Sequence, residues 1–232
     1  MITAKHHPLY VRGSDWIMKR LMNRYFRHIH IRSELDDRQG PVLLLANHFS
    51  WWDGFLARYA VTKTLKKKVF VMMLEEELSK RPVLRKVGAF SVRKNSRTAA
   101  ESMDYALKIL ENPNHLLLLF PQGKFQSLHQ YPLEFEKGWF RILERAPKDT
   151  RVVFLAALTD YFDRRKPGLN IYLEEASRYS SGGRDSGFTD TIHQKNAKHP
   201  EATTFLSPKE AESAYNEFLK NAIERQNQQA NQ

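Results

Sequence analysis

Apolar positions fall into two patterns along the chain. Continuous runs at 42–46, 69–73, 116–120 and 152–158, with shorter ones at 89–92 and 169–173, have the length and composition of strands buried on both faces. Segments 51–63, 75–87, 98–111 and 138–145 carry helical spacing, the second of them broken near its start by Pro82. Strands alternating with helices predict an α/β fold with a mostly parallel central sheet flanked by helices. In such sheets the active site lies at the C-terminal strand ends.

A further helix is expected over 15–29, opened by Ser14 and Asp15. Ile17, Met18, Leu21, Met22, Tyr25, Phe26 and Ile29 fall on one side of it, and Lys19, Arg20, Asn23, Arg24 and Arg27 on the other. Such a basic amphipathic helix has two readings: it lies in the headgroup plane of an anionic bilayer, or it packs one face on a core and solvates the other. Near the far end Ser207, Pro208 and Glu210 form a capping box with proline at the first helical position. An apolar stripe of Ala211, Ala214, Tyr215, Phe218, Ala222 and Ile223 follows. The expected organisation is a membrane-contacting helix in 1–30 and an α/β domain over 31–225. That domain includes a long polar loop at 177–206 and a helix at 207–225, and 226–232 is a frayed tail.

With 232 residues, 41% of them hydrophobic, one core is well supplied, and disordered or fibrous classes are excluded. The formal charge of +11 is one-sided, with a net +12 in residues 1–100 and −1 in 101–232. An anionic partner for the first part follows: a membrane surface, nucleic acid or phosphorylated small molecules. No apolar run approaches the roughly 18 residues of a membrane span, and residues 1–12 lack the apolar core of a secretory signal. With no cysteine, disulfides and thiol catalysis are excluded. The expected location is peripheral, on the cytoplasmic face of a membrane.

The segment Asn47-His48-Phe49-Ser50-Trp51-Trp52-Asp53 joins a strand end to a helix start. An imidazole there projects from the sheet edge, and a carboxylate in the first helical turn reaches back to one ring nitrogen. That pairing fixes the tautomer and leaves the other nitrogen free to act as general base. The same spacing, Ser50-x-x-Asp53, is also a capping box in which Ser50 caps the helix and Asp53 merely favours its N-terminus. Two further strand ends carry chemistry: Gly88 to Lys94 closes with Arg93 and Lys94, with Arg97 following, and Phe120-Pro121-Gln122-Gly123-Lys124 is a tight turn with a cation. His48, Asp53, Arg93, Lys94, Gln122 and Lys124 are therefore expected on one rim. Trp51 and Trp52 are read as core and channel walls. His28 and His30 are spaced as alternating strand residues, no acidic or cysteine cluster accompanies them, and no metal is expected. There is no G-x-x-x-x-G-K-[ST] and no G-x-G-x-x-G, which argues against a nucleotide-binding loop.

This ordered set resembles the lysophospholipid (glycerolipid) acyltransferase family, of the 1-acylglycerol-3-phosphate acyltransferase type. The family pattern is N-H-x-x-x-x-D, then G-x-F-x-x-R-R, then F-P-E-G-T-R, then a hydrophobic strand usually containing proline. His48 and Asp53 match the first motif; Gly88, Phe90 and Arg93 match the second, with Lys94 for its last arginine; Phe120, Pro121 and Gly123 match the third. Residues 151–158 occupy the fourth without its proline, and Glu136-Lys137-Gly138 matches a lysine-glycine step ahead of it. The resemblance spans roughly 28–175. It implies transfer of an acyl group from an acyl-CoA or acyl-carrier-protein thioester to a hydroxyl of a lipid or lysophospholipid acceptor. His48 and Asp53 are then the base and its orienting acid, and Arg93, Lys94, Gln122, Gly123 and Lys124 bind substrate, with no tightly bound cofactor. The expected partners are anionic membrane lipids, the lipid acceptor and the acyl donor, not nucleic acid.

The departures fall on the acceptor side: Gln122 stands for a glutamate, and Lys124 and Phe125 for threonine and arginine. Gln122 hydrogen-bonds without charge, and Lys124 is a point charge rather than a fork. Two other readings accompany the enzyme: a catalytically inactive lipid-binding relative, suggested by Gln122, and a basic nucleic-acid-binding domain, whose sign is steeply salt-dependent binding.

Overall fold

The all-apolar run at 42–46 becomes β2 (Val42–Ala46), completely buried at the centre of a seven-stranded sheet. A computed structural model describes residues 1–35, 37, 39–93, 98–179, 205 and 207–230. In chain order its elements are α1 (Pro8–Tyr25), β1 (Ile29–Glu34), β2, α2 (Asp53–Thr64), β3 (Lys68–Leu74), α3 (Glu75–Lys80), β4 (Ala89–Val92), α4 (Thr98–Leu110) and β5 (His115–Leu119). They continue with α5 (Phe140–Arg145), β6 (Arg151–Asp160), β7 (Gly168–Glu175) and α6 (Pro208–Ala230). The sheet order is β1-β7-β6-β2-β5-β3-β4, and only the β6–β7 pairing is antiparallel.

Side chains alternate across this sheet and split the core into two layers. Leu43, Leu45, Leu117, Leu119 and Phe154 face α4, α5 and α6, while Val42, Leu44, Ala46, Leu116 and Leu118 face α1 and α2. Strands apolar on both faces are what a sheet covered on both sides requires, and the expected mostly parallel α/β fold is the one observed.

Several expected boundaries move. The first helix starts at Pro8, which suits an N1 position, and ends at Tyr25, so Ser14 and Asp15 are mid-helix. Asp15 instead forms a bidentate pair with Arg58 of α2 at 2.7 and 3.1 Å. Of the stripe assigned to that helix, Met18 and Met22 are buried in the protein and Ile29 belongs to β1. The segment 75–87 is not one helix: it breaks at Arg81, and Pro82–Val87 forms a 3-10 turn ending on Gly88. At the other end α6 continues past residue 225 to Ala230, with Gln226 buried, in place of a frayed tail from 226. Its start is as expected, with Ser207 Oγ accepting the Glu210 N–H at 3.1 Å. Most of the 177–206 loop lies outside the described residues.

Because β7, with β1 beside it, runs against the other five strands, its polar end lies opposite the strand ends that carry His48. There Arg151 pairs with Glu175 in the interior, and Arg225 bonds Glu174 at 2.6 Å and Glu34 at 3.1 Å. The same reversal places the β6–β7 connection, 161–167, on the His48 edge.

Candidate active site

β2 and β5 are hydrogen-bonded neighbours running in the same direction, so the residues that follow them emerge side by side. Asn47 ends β2 with its side chain doing what backbone would: its Nδ2 donates to Ala157 O and its Oδ1 accepts the Ala157 N–H, both at 2.9 Å. The main chain is thereby released to turn, and His48 stands half-buried at the edge.

His48 Nδ1 lies 2.8 Å from Oδ2 of Asp53, which is buried at the first position of α2. The same oxygen accepts the N–H groups of Phe49 at 2.6 Å and Ser50 at 2.8 Å, and Oδ1 accepts the Ser50 hydroxyl at 2.9 Å. Ser50 Oγ in turn accepts the Trp52 N–H at 3.1 Å. The two readings of Asp53 are thus one structure: the carboxylate reaches back to the loop amides as a capping box does, and with the same oxygen it holds the imidazole. An imidazole that donates from Nδ1 to a carboxylate presents the Nε2 lone pair outward.

Gln122, from the turn after β5, is buried against this loop, and its Oε1 accepts the His48 backbone N–H at 2.6 Å. The Gln126 N–H returns a bond to the His48 carbonyl at 2.8 Å, so the β5 turn clamps His48 by its main chain. Gly123 adopts φ +65°, the left-handed region that lets the turn close with its N–H on Phe120 O at 3.0 Å. The imidazole is stacked on Phe120, and Phe125 covers its other side, each with ring centroids 4.2 Å away. Phe125 is exposed, and the sequence marks it only as a departure from the third motif, not as a neighbour of His48. Turn amides were natural candidates to hold an oxyanion, but the N–H groups of Phe49, Ser50, Trp52 and Gly123 all have partners within the protein.

Arg93 and Lys124 are not among the groups bonded to or stacked on His48. Lys124 is exposed beside Phe125. Arg93 follows β4, three strand spacings or about 14 Å from β2 along the same edge. Arg93 is held by Glu75, Nε to Oε1 at 2.8 Å, and Ser91 Oγ donates to the other oxygen of Glu75 at 2.8 Å. The Ser91 hydroxyl first, and then Arg93, draws the Glu75 carboxyl below the usual range. Lys94 and Arg97 lie outside the described residues. Trp51 and Trp52 are not core walls: both are exposed at the mouth of the site, since the chain turns outward between Ser50 and Asp53. His28 and His30 stack on each other at 4.5 Å beside β1, and no metal-holding cluster occurs among the described residues.

Behind His48 a small cavity is lined by Asn47, Gln122, Gln126, Leu133, Leu158 and Leu219. The arrangement supplies a clamped, carboxylate-oriented imidazole next to a mainly apolar recess, a combination suited to drawing a proton from a hydroxyl attached to a lipid.

The chain is similar to known proteins in this region. A family model described as Acyltransferase matches residues 28–157. A 1-acyl-sn-glycerol-3-phosphate acyltransferase of Streptococcus pneumoniae (strain ATCC BAA-255 / R6) is 26% identical over 104 residues, which cover 43% of this chain. The match spans 38% of that relative's length.

Proposed function

The chain belongs to the Acyltransferase family, and on that premise we propose that it moves a fatty acyl group from an acyl-CoA or acyl-carrier-protein thioester to a hydroxyl of a lipid or lysophospholipid acceptor. The observation that carries this reading is the 2.8 Å bond between His48 Nδ1 and Asp53. His48 Nε2 takes the acceptor's hydroxyl proton as that oxygen attacks the thioester carbonyl carbon. The carbon–sulfur bond breaks, and the departing sulfur takes the proton from Nε2. No acyl-enzyme is required, and no bound cofactor takes part. Phe120 and Phe125 hold the ring in the plane that keeps Nε2 aimed outward, and the Gln122 clamp keeps its backbone in place.

We further propose that the enzyme works on an anionic membrane surface, with the His48 edge facing the lipids. No described helix is long and apolar enough to cross a membrane. Exposed aromatics gather at this edge, besides Tyr10 and Trp16 on α1: Trp51 and Trp52, Tyr25 with its ring 6.3 Å from that of Trp52, and Tyr161 and Phe162 in the β6–β7 connection. Arg164, Arg165 and Lys166 are exposed in that same connection, which the Arg27 N–H joins to the end of α1 through Pro167 O at 2.9 Å. Aromatics beside cations suit the headgroup layer. This reading moves the lipid contact from the buried Met18 and Met22 to the rim.

Purified protein incubated with a panel of hydroxylated lipid acceptors and both thioester donor types, with products read by mass spectrometry, tests the proposal. Acylated product that disappears in His48→Ala supports it. Lipid binding without product, or product unchanged in His48→Ala, overturns it in favour of a non-catalytic lipid binder or another base.

A further inference from the structure

The hydrogen-bond direction along three residues is fixed from one end. The His48 backbone N–H can only donate, so the Gln122 atom 2.6 Å from it is the carbonyl Oε1. Its amide nitrogen therefore faces Gln126 and donates to Gln126 Oε1 at 2.6 Å. That in turn commits the orientation of Gln126 and leaves its own NH2 at the end of the chain. Gln126 is 94% buried, and its Nε2 has no partner among the described residues. A buried donor left unmade is costly, of a size with the gain from a good hydrogen bond. The residue lines the recess behind His48, whose other walls include Leu133, Leu158 and Leu219.

We propose that the Gln126 amide donates to a carbonyl oxygen of the lipid substrate, making Gln126 a substrate-binding residue that selects a neutral oxygen acceptor close to the reacting centre. Among the described residues that line the recess, His48 is the only ionisable one, so the walls they form offer the ligand no other charge. A neutral donor in a wall of leucines and uncharged polar side chains recognises an ester, amide or thioester carbonyl and discriminates against a plain methylene at that point. The carbonyl belongs either to the thioester donor or to an acyl group already on the acceptor; the chemistry is the same. The proposal rests on the acyl-transfer reading for which substrate enters, but not for the presence of the donor group.

The amide relay makes an unusual prediction. Gln122→Glu keeps an acceptor for the His48 N–H but removes the donor toward Gln126. The Gln126 amide must then turn its NH2 to the new carboxylate and its carbonyl to the recess. A distant-looking isosteric change thereby reverses the polarity offered to substrate. Gln126→Met removes the group at nearly constant size.

The test measures KM for donor at saturating acceptor, and for acceptor at saturating donor, in wild type, Gln126→Met and Gln122→Glu. Both variants are expected to raise the same one of the two KM values by roughly 3- to 10-fold, and the one that rises identifies whose carbonyl is bound. A fall in kcat with both KM values unchanged is the mark of a merely structural role and overturns the proposal, as does wild-type behaviour in both variants. Equilibrium binding of an ester-containing monoacyl lipid, a matching ether lipid and the acyl thioester, each alone, separates this inference from the acyl-transfer reading. Weaker binding of a carbonyl ligand to Gln126→Met, with the ether lipid unaffected, upholds it even if no turnover is found. Equal binding to wild type and Gln126→Met removes it even if turnover is robust.

Discussion

Asp53 Oδ2 accepts three hydrogen bonds at once, from His48 Nδ1 and from the main-chain amides of Phe49 and Ser50. One oxygen therefore sets both the path of the loop and the orientation of the ring that the loop carries. The two functions are inseparable by mutation at residue 53 but separable at residue 48.

His48→Ala is expected to lower acyl transfer by about 10²- to 10⁴-fold with a smaller change in Tm than Asp53→Asn, because the ring lies at the sheet edge outside both core layers. Asp53→Asn is expected to lower activity and also to destabilise by about 2–3 kcal/mol, since an amide cannot accept from all the groups now facing the carboxylate. Paired measurements of turnover and thermal unfolding check this; a His48→Ala destabilised as much as Asp53→Asn, or a fully stable Asp53→Asn, would contradict it.

At the rim, Tyr161→Ser with Phe162→Ser should weaken binding to vesicles of any charge, because apolar contact with the interface is lost. Neutralising Arg164, Arg165 and Lys166 should reduce binding to anionic vesicles by about tenfold or more while leaving neutral ones little affected. Neutralising Lys19, Arg20, Arg24 and Arg27 should act in the same direction. Co-sedimentation at two ionic strengths reads all three, and indifference of anionic-vesicle binding to these changes would remove the membrane contact.

His6 supplies a pH dependence. Its ring is held against Phe70 and its Nε2 lies 3.0 Å from Val69 O, and burial pushes its pKa down from 6.5 to about 4. The folded state thus favours neutral His6, so this contribution to stability is present above pH 6.5 and is lost as the pH falls from 6.5 toward 4. Because the ring is only partly buried, the loss is of order 1–2 kcal/mol after allowance for solvent screening. Tm measured from pH 7 to 4.5 should fall more steeply for wild type than for His6→Gln.

Gly88 turns the chain into β4 at φ +111°, and a Cβ there would stand 2.3 Å from Val69 O and 2.7 Å from His6 Nε2. Gly88→Ala should therefore destabilise by about 2–4 kcal/mol, seen as a lower denaturant midpoint. A tolerated alanine would mean that the strand entry is not held as described.

How much of this was legible in the sequence depends on how local each signal is. β2, β5 and β6 announce themselves because strands covered on both faces are uniformly apolar, whereas β1 lies at the sheet edge with few buried positions, so its first residue, Ile29, fits the stripe of the preceding helix and only the alternation of His28 and His30 hints at a strand. The start of α1 was hidden by Ser14 and Asp15, which look like a cap until Arg58 is seen to claim the aspartate. His48 and Asp53 are legible because six consecutive positions hold both. Phe125 and Gln126 were not, because their contact with His48 depends on β2 and β5 being neighbours, a fact of topology rather than of spacing. The apolar stripe of α1 was visible, but which of its members meet protein is decided by α2 and the sheet.

Asn47 stands beside His48 and Asp53 for a reason unconnected with protons. By supplying both an N–H and a C=O to Ala157 it acts as the final rung of the β2–β6 ladder, made of side chain instead of main chain. The backbone can leave the sheet one residue early without opening a seam between the strands. The loop that carries His48 can thus turn away toward Asp53 and Gln122, while the seam between β2 and β6 stays closed behind it.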